Sequence, residues 1–325
     1  MKDSTTTKTD IRPSKSRIKS STLFVAGISV LCTLMWGSAF PCIKMGYELF
    51  RIDAEDIPSK LIFAGARFLL AGIIVLVIGI FKEKSKMKLH RSDILPVAAL
   101  GFFQTYMQYL LLYIGLVRVS GTKSAVLTSV SAFGSVIISA FVFKSDKLTL
   151  KKLLGCVIGL TGIIIMNSGG DGLGGFVLLG DGLVILSNLS GAAGNVLSKR
   201  ISAGRSPVQI SAWQLIFGGG ALMLTGIICG GKLIFYEQGC VWLLLYLAAM
   251  AGVAFMLWTM LLFHNDVSRV AVYNLLIPVF GAMWSAVFLS ENIFTVTNIL
   301  SLLLVCSGIF IVNFKKRKKT QTGGA

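Results

Sequence analysis

The amino-acid sequence predicts an all-α integral membrane protein with ten transmembrane helices. Of its 325 residues, 54% are hydrophobic and 14% are charged, whereas soluble domains average about 25% charged residues. One helical crossing of a bilayer needs roughly 20 mostly apolar residues. Short connections separate ten such stretches, which leaves no room for a soluble domain. The predicted spans are 22–47, 61–81, 94–117, 124–143, 153–167, 176–198, 208–230, 240–262, 268–289 and 297–314.

Basic residues alternate between the two sides of this predicted topology. Lys and Arg are concentrated in the N-terminal tail, in the even-numbered connections and in the C-terminal sequence KKRKK, whereas the first connection is acidic. Because basic connections favour the cytoplasmic side, we expect both termini to be cytoplasmic. The net charge of +17 then reflects topology. A basic tail could also bind anionic lipid or nucleic acid, but its place beside a membrane helix favours the first interpretation, and we expect no nucleic-acid partner.

The first helix and the cysteines need no special chemistry. A basic N-terminus before an apolar run resembles a signal peptide, but no A-x-A-like site follows, so we expect an uncleaved helix. The six cysteines show no C-x-x-C spacing and fall in or beside apolar stretches. We therefore expect neither metal nor cofactor.

The two halves of the chain repeat each other. "GIIIMN" ends the fifth predicted helix and "GIFIVN" ends the tenth, while "ARFLLAGIIV" aligns with "WQLIFGGGAL" and pairs Arg67 with Gln214. Each half has five helices, an odd number, so the halves should be inverted repeats, a plan that recurs in transporters. The predicted organisation is a basic tail (1–21), a first repeat (22–167), a Gly-rich linker (168–175), a second repeat (176–314) and a basic tail (315–325).

Several motifs together resemble a known family. They are the Trp-Gly-Ser-x-Phe sequence at Trp36 with Lys44 after it, "ARFLLAG", "GDGLVILSNLSGAAGNVLSKR" and "IPVFGAMWSAVFLSENI". In order and spacing the chain resembles the EamA-like branch of the drug/metabolite transporter superfamily. The resemblance implies a multi-pass carrier of the cell membrane, with a cavity between its halves, for amino acids, related metabolites or drugs. Ile277 stands where many members have an acidic residue, and Ser131 replaces the fourth-helix proline that would match the ninth-helix one.

Two ionisable side chains are predicted within the membrane, where such groups are costly and suggest function. Lys44 is near the outer end of the first helix, so it either reaches water along the surface or serves the pathway. Arg67 is deeper, roughly 10 Å from the outer end of the second helix by the helical rise. It needs a partner such as Glu48 or helix carbonyls, or a wet cavity.

Proline and glycine interrupt the first helix. Gly37, Pro41 and Lys44 share one helical face. Because proline removes a backbone hydrogen bond, this face should be bent and should expose polar backbone to the central cavity as the hinge of an outer gate. The alternative is an ordinary kink with Trp36 as a packing residue.

Aromatic and amide side chains on several other helices are the remaining candidates for the substrate pathway. A cavity lined by such groups suits an amphipathic organic solute better than a bare ion, although aromatic packing and interhelical hydrogen bonds explain the same residues. These candidates are Tyr106, Gln108, Asn195, Gln214, Trp258, Tyr273, Asn274, Pro278 and Trp284.

Two G-x-x-x-G sequences, at Gly155 and at Gly226, permit close helix approach. They indicate either packing within the chain, which we favour, or a homodimer.

The sequence thus predicts a secondary transporter for a small-molecule substrate in a lipid bilayer. We expect it to work by alternating access and to export metabolites. No Asp or Glu falls at mid-membrane, which favours facilitated diffusion or exchange over proton coupling. A membrane-embedded enzyme, a channel or a scaffold is the alternative. Gly180-Asp181 resembles part of an intramembrane protease motif, but Leu178 stands where that motif requires glycine.

Overall fold

The computed structural model describes residues 21–83, 86–119, 121–166, 176–289 and 296–313. The predicted linker 168–175 and, apart from Ser21, the predicted tails lie outside the described residues. The described residues group into ten helices and contain no strand. These are α1 (Thr22–Leu49), α2 (Ile57–Glu83), α3 (Arg91–Gly101, Phe102–Met107 and Gln108–Leu116), α4 (Gly121–Thr128 and Val130–Val142), α5 (Leu150–Met166), α6 (Leu178–Gly182 and Leu183–Arg200), α7 (Pro207–Ile228), α8 (Gln238–His264), α9 (Val267–Ala271, Val272–Leu275 and Leu276–Leu289) and α10 (Val296–Asn313).

Local sequence explains where several helices begin. The Ser21 hydroxyl accepts a hydrogen bond from the N–H of Phe24 and caps α1. The Asp56 carboxylate accepts one from the N–H of Ser59 in the first turn of α2. Pro207 opens α7, where its missing N–H costs nothing.

Six helices in the described ranges are long and apolar enough to cross a membrane, by length and composition. They are Thr22–Leu49, Ile57–Lys82, Arg91–Leu116, Pro207–Ile228, Gln238–His264 and Val267–Trp284. Two shorter apolar helices, Val126–Val142 and Ile299–Asn313, accompany them. The all-α prediction is therefore confirmed for the described residues, and multiple spans support a membrane protein. Helix α6 falls short in apolarity because it turns Ser, Asn and Gly towards its neighbours.

Helix pairing repeats between the two halves. Helix α2 packs along its counterpart α7, and α5 packs along its counterpart α10. Helix α1 packs against α8 and α9, while its counterpart α6 packs against α3 and α4. The contacts of α1 and α6 correspond to each other, because α3 and α4 are the third and fourth helices of the first half and α8 and α9 are the third and fourth helices of the second.

Small residues set the spacing of the α5–α10 pair. A Cβ atom on Gly155 would lie 2.6 Å from the carbonyl oxygen of Gly308, and one on Gly308 would overlap the carbonyl oxygen of Gly155. In the other motif, a Cβ on Gly226 would lie 2.7 Å from the Pro58 carbonyl oxygen on α2. Both G-x-x-x-G sequences thus pack helices within the chain, and the homodimer remains a prediction.

Candidate functional site

A cavity of about 600 Å³ lies between the two halves of the bundle. Helices α1, α2, α3 and α4 of the first half and α6, α8 and α9 of the second all contribute to its wall. This size suits a small organic molecule. The predicted pathway residues that line it are Trp36, Lys44, Arg67, Gln108, Asn195, Trp258, Asn274 and Pro278.

Asn195 joins four helices at the cavity wall. Its Oδ1 accepts hydrogen bonds from Gln104 Nε2 at 3.1 Å and from Trp258 Nε1 at 3.0 Å. Its Nδ2 donates to the Ser135 hydroxyl at 3.2 Å. The amide therefore ties α6 to α3, α8 and α4, and it fixes the indole of Trp258, which is 1% exposed.

A π-helical turn in α3, Phe102–Met107, positions Gln104 for this network. A π-helical turn is wider than an α-helical turn, so some of its backbone carbonyls lack a regular N–H donor within the helix. Such turns are frequent at functional sites. Two serines of α6 supply the missing donors: Ser190 Oγ donates to the carbonyl of Phe103 at 2.7 Å, and Ser187 Oγ donates to that of Gln108 at 2.6 Å. The polar face of α6 thus stabilises an irregular helix beside the cavity.

The fourth helix of each half is also irregular. Helix α9 tightens into a 3₁₀ turn at Val272–Leu275, and Pro278 has no N–H to donate to the carbonyl of Asn274. Helix α4 is interrupted between Thr128 and Val130 although it has no proline there. Asn274 Nδ2 donates to the Ser131 hydroxyl at 3.5 Å, so the two irregular segments meet at the cavity.

Aromatic side chains form one wall of the cavity. The Trp36 ring packs edge-on against Trp258 and Phe255, with centroid distances of 5.0 and 5.4 Å. Phe255 in turn lies 6.0 Å from Phe68. The buried Nε1 of Trp36 has no hydrogen-bond partner among the described residues. The wall is therefore apolar.

Arg67 is buried beside this wall, with 3% of its surface exposed. Its guanidinium carbon lies 4.4 Å from the centroid of the Phe68 ring and 5.9 Å from that of Tyr109. Its Nε has no hydrogen-bond partner among the described residues, and no described carboxylate, Glu48 included, lies within ion-pair distance of the side chain. The ion pair that the sequence suggested is thus not formed within the described part of the chain.

Lys44 lies where the cavity meets a second, shallower pocket of about 370 Å³. Tyr47 lines both pockets as well. The shallow pocket carries charges from the end of α1 and from the α1–α2 connection, among them Glu48, Arg51 and Asp53. Lys44 therefore reaches exposed surface and also lines the cavity.

The structure separates Gly37 and Pro41 from the cavity. Both are buried, and a Cβ on Gly37 would lie 2.7 Å from Cβ of Phe280. Gly37 thus allows α9 to approach α1. The α1 face that lines the cavity contains Trp36, Phe40, Ile43 and Tyr47 instead.

Four further candidates also lie away from the cavity lining. Gln214 is fully buried, and its Oε1 accepts a hydrogen bond from Thr105 at 2.8 Å. The Tyr106 hydroxyl accepts one from Thr225 at 3.2 Å. Trp284 Nε1 donates to the Leu34 carbonyl. Tyr273 is 5% exposed and belongs to an apolar core cluster.

Phe68, Phe255 and Met250 line the cavity although the sequence analysis did not select them. Phe68 follows Arg67 directly, and Phe255 lies about one turn from Trp258. Because apolar side chains fill most of a membrane helix, composition gives no signal that separates these from packing residues.

At the opposite end of the bundle from the α1–α2 connection, polar contacts join the halves. The Asp146 carboxylate accepts hydrogen bonds from the N–H of Ser268 at 3.0 Å, from its hydroxyl, and from Lys152. Burial of the Asp146 carboxylate opposes its ionisation, but these donors outweigh burial and hold its pKa below the usual range. Arg205 Nη2 forms an ion pair with Asp93 at 2.7 Å. Both contacts cross from the first half to the second.

Comparison with known proteins decides the family. The EamA-like transporter family matches residues 23–168 and, a second time, residues 178–314. The chain belongs to the EamA-like transporter family.

Individual proteins with similar sequences or structures support this family assignment. An uncharacterized transporter of Bacillus subtilis, YoaV, is 26% identical, and the alignment covers 88% of this chain and 96% of the relative. A probable amino-acid metabolite efflux pump of Salmonella typhimurium is 25% identical, with 91% and 98% covered. A solved crystal structure superimposes with a TM-score of 0.74 over 88% of this chain and 95% of its own; at 15% identity this shows a shared fold.

The family confirms the predicted resemblance and the multi-pass location in the cell membrane. Its members in these comparisons are named as transporters or efflux pumps. The chain is therefore a transporter rather than a membrane-embedded enzyme.

Proposed function

We propose that this family member is a secondary transporter that moves small amphipathic organic solutes by alternating access between two inverted five-helix repeats. The observation that carries the proposal is the cavity of about 600 Å³ between the halves, lined by polar and aromatic side chains from both. The matching helix pairings support it, because inverted repeats can exchange conformations.

The proposed topology has ten spans and cytoplasmic termini. It rests on the alternation of basic and acidic connections in the sequence. The α1–α2 connection, which carries Glu48, Asp53, Glu55 and Asp56, is then extracellular, and the basic α4–α5 connection is cytoplasmic.

In this topology we propose that the described conformation is outward-facing. The cavity uses the second half of α1, from Trp36 to Tyr47, and the early turns of α2 at Arg67. Both segments lie towards the extracellular α1–α2 connection. At the cytoplasmic end, Asp146 with Ser268 and Asp93 with Arg205 hold the halves together. The inward-facing state would break these contacts and close the cavity around Trp36.

The proposed substrates are amino acids, related metabolites or drugs, moved in the direction of export. The cavity supports a solute with an apolar body and polar groups, because aromatic rings and amides share its wall. Export is the activity named for relatives of similar length, the probable amino-acid metabolite efflux pumps of two enterobacteria.

Counterflow in liposomes tests this proposal. Purified protein is reconstituted, and vesicles are preloaded in turn with amino acids, nucleosides, sugars, organic acids and organic cations, each tested against its labelled form outside. Transient accumulation of a label, absent in protein-free vesicles, is the expected result. A label that equilibrates without overshoot or saturation would indicate a channel, and no flux from folded protein would contradict transport.

A further inference from the structure

We infer that the solute is an organic anion whose acidic group pairs with Arg67 while its apolar body lies against the aromatic wall. This inference rests on the proposed transport function and names its substrate class. Among the described lining residues, the charged side chains are Lys44 and Arg67, and neither Asp, Glu nor His occurs. The cavity wall is therefore cationic.

Arg67 has the geometry of a binding residue that lacks its ligand. Its side chain is 3% exposed, and within the part of the chain that the structure describes its Nε has no hydrogen-bond partner and no carboxylate pairs with it. A buried charge without a counter-ion is costly, in membrane segments above all. An anion in the cavity would supply the missing counter-ion.

The rings around Arg67 leave part of the guanidinium open to such an anion. Phe68 stacks on the group at 4.4 Å, and Phe68 and Tyr109 lie 4.5 Å apart between ring centroids. Stacking contacts the face of the guanidinium rather than the N–H groups along its edge, and Nε, one of these groups, has no acceptor among the described residues. Those edge groups match the two oxygens of a carboxylate or sulfonate.

The rest of the cavity fits the body of the same molecule. Trp36, Phe255 and Trp258 form a continuous apolar wall. Lys44 stands where the shallow pocket meets the cavity, so an entering anion passes a second positive charge. The shallow pocket also holds the carboxylates of Glu48 and Asp53, but Arg51 and Lys60 lie beside them. With Lys44 the entrance keeps a small excess of positive charge, which favours anions over organic cations.

A zwitterionic solute is less well matched than an anion. Its ammonium group would find aromatic faces and amide oxygens among the described lining residues, but no carboxylate. The anion thus makes a charge pair without leaving an opposite charge unpaired. We expect the order of preference to be organic anion, then zwitterion, then cation.

Three probes with one aromatic body separate these classes. N-acetylphenylalanine is an anion, phenylalanine a zwitterion and phenylalaninamide, at mildly acidic pH, a cation. Each is tested in counterflow against its own labelled form, and binding is followed by quenching of tryptophan fluorescence, since Trp36 and Trp258 line the cavity. We expect exchange and quenching to be strongest with N-acetylphenylalanine.

Substitution of Arg67 tests the assigned partner. Arg67→Gln should weaken binding of N-acetylphenylalanine about 10- to 100-fold, the loss typical of a charge-assisted pair, and should not weaken binding of phenylalaninamide. Arg67→Lys keeps the charge but not the paired donors, so its loss should be smaller. Lys232→Gln removes the same charge from an exposed site outside the cavity and should bind like the unmodified protein.

The outcomes distinguish this inference from the transport proposal. Exchange of phenylalanine or phenylalaninamide without exchange of N-acetylphenylalanine would overturn the inference and leave the carrier intact. Equal weakening of all three probes by Arg67→Gln would also overturn it. If Arg67→Gln does not fold, the probe ranking with unmodified protein and Arg67→Lys decides. Failure of every probe and of the wider counterflow panel would contradict transport itself.

Discussion

The carboxylate of Asp146, which follows α4, accepts hydrogen bonds from both the backbone N–H and the hydroxyl of Ser268 at the start of α9. One residue belongs to each half of the chain. The carboxylate satisfies an N–H at a helix start, where negative charge is also favourable. In the proposed cycle this contact holds the cytoplasmic end closed, so its loss should favour the inward-facing state.

Asp146→Asn should weaken this contact and lower the free energy of unfolding by about 1–3 kcal/mol, as for hydrogen bonds to a charged group. Thermal unfolding in detergent measures the loss. Asp266→Asn is the matched control, because Asp266 occupies the N-cap position of the same helix without a side-chain cap hydrogen bond. Equal destabilisation by both substitutions would contradict the role assigned to Asp146.

Acid should weaken the same contact at a defined pH. The pKa of Asp146 is lowered in the folded protein, since the donors from Lys152 and Ser268 outweigh burial. A lowered pKa contributes stability that is complete above the unfolded value, near pH 4, and is lost as pH falls through the folded value. The thermal unfolding midpoints of the unmodified protein and of Asp146→Asn should therefore differ at neutral pH and converge as the pH falls below about 4.

Helical periodicity predicted much of the cavity. Trp36, Asn195, Trp258 and Asn274 were found because polar and large aromatic side chains stand out in an apolar helix, where each needs a partner. Periodicity shows which residues share a face but not which neighbour that face meets. For this reason the face of α1 containing Gly37 was assigned to the cavity although it packs against α9.

Pseudo-symmetry misled in a different way. The sequence aligns Gln214 with Arg67, yet Arg67 lines the cavity and Gln214 is buried against Thr105. A cavity open towards one end can expose one member of such a pair and bury the other. Sequence alone does not specify which end is open, so it cannot tell these two positions apart.

Asn195→Ala should lower the free energy of unfolding by breaking the hydrogen-bond network at the cavity wall. It leaves Gln104 Nε2 and Trp258 Nε1 without their shared acceptor, at a cost of about 1–3 kcal/mol for each buried group. In a double-mutant cycle with Trp258→Phe, the two losses should be less than additive, because the second substitution removes one of the stranded donors. Additive losses of unfolding free energy would show that the hydrogen bond contributes little.

Gly37→Ala should destabilise the α1–α9 contact. The added Cβ would lie 2.7 Å from Phe280 Cβ and 2.9 Å from the backbone nitrogen of Gly281, and overpacking of this kind typically costs about 1–3 kcal/mol. Gly27→Ala is the control in the same helix, since nothing lies within 4 Å of its added Cβ. That control should be neutral or slightly stabilising because alanine favours a helix. The unfolding temperatures of the two variants measure the difference, and similar values would contradict close packing at Gly37.

Transport should not depend on a proton gradient. Proton relays in membrane carriers use buried Asp, Glu or His, and the described lining of this cavity has none. With the membrane potential clamped by a potassium ionophore, an imposed pH gradient should leave the initial rate of exchange unchanged within error. Strong acceleration by the gradient would mean that a protonatable group outside the described lining couples to transport. A carrier without a proton site should instead exchange solutes at a rate set by the gradient of the counter-solute. In such a carrier, substrate binding is the event that permits the halves to change conformation.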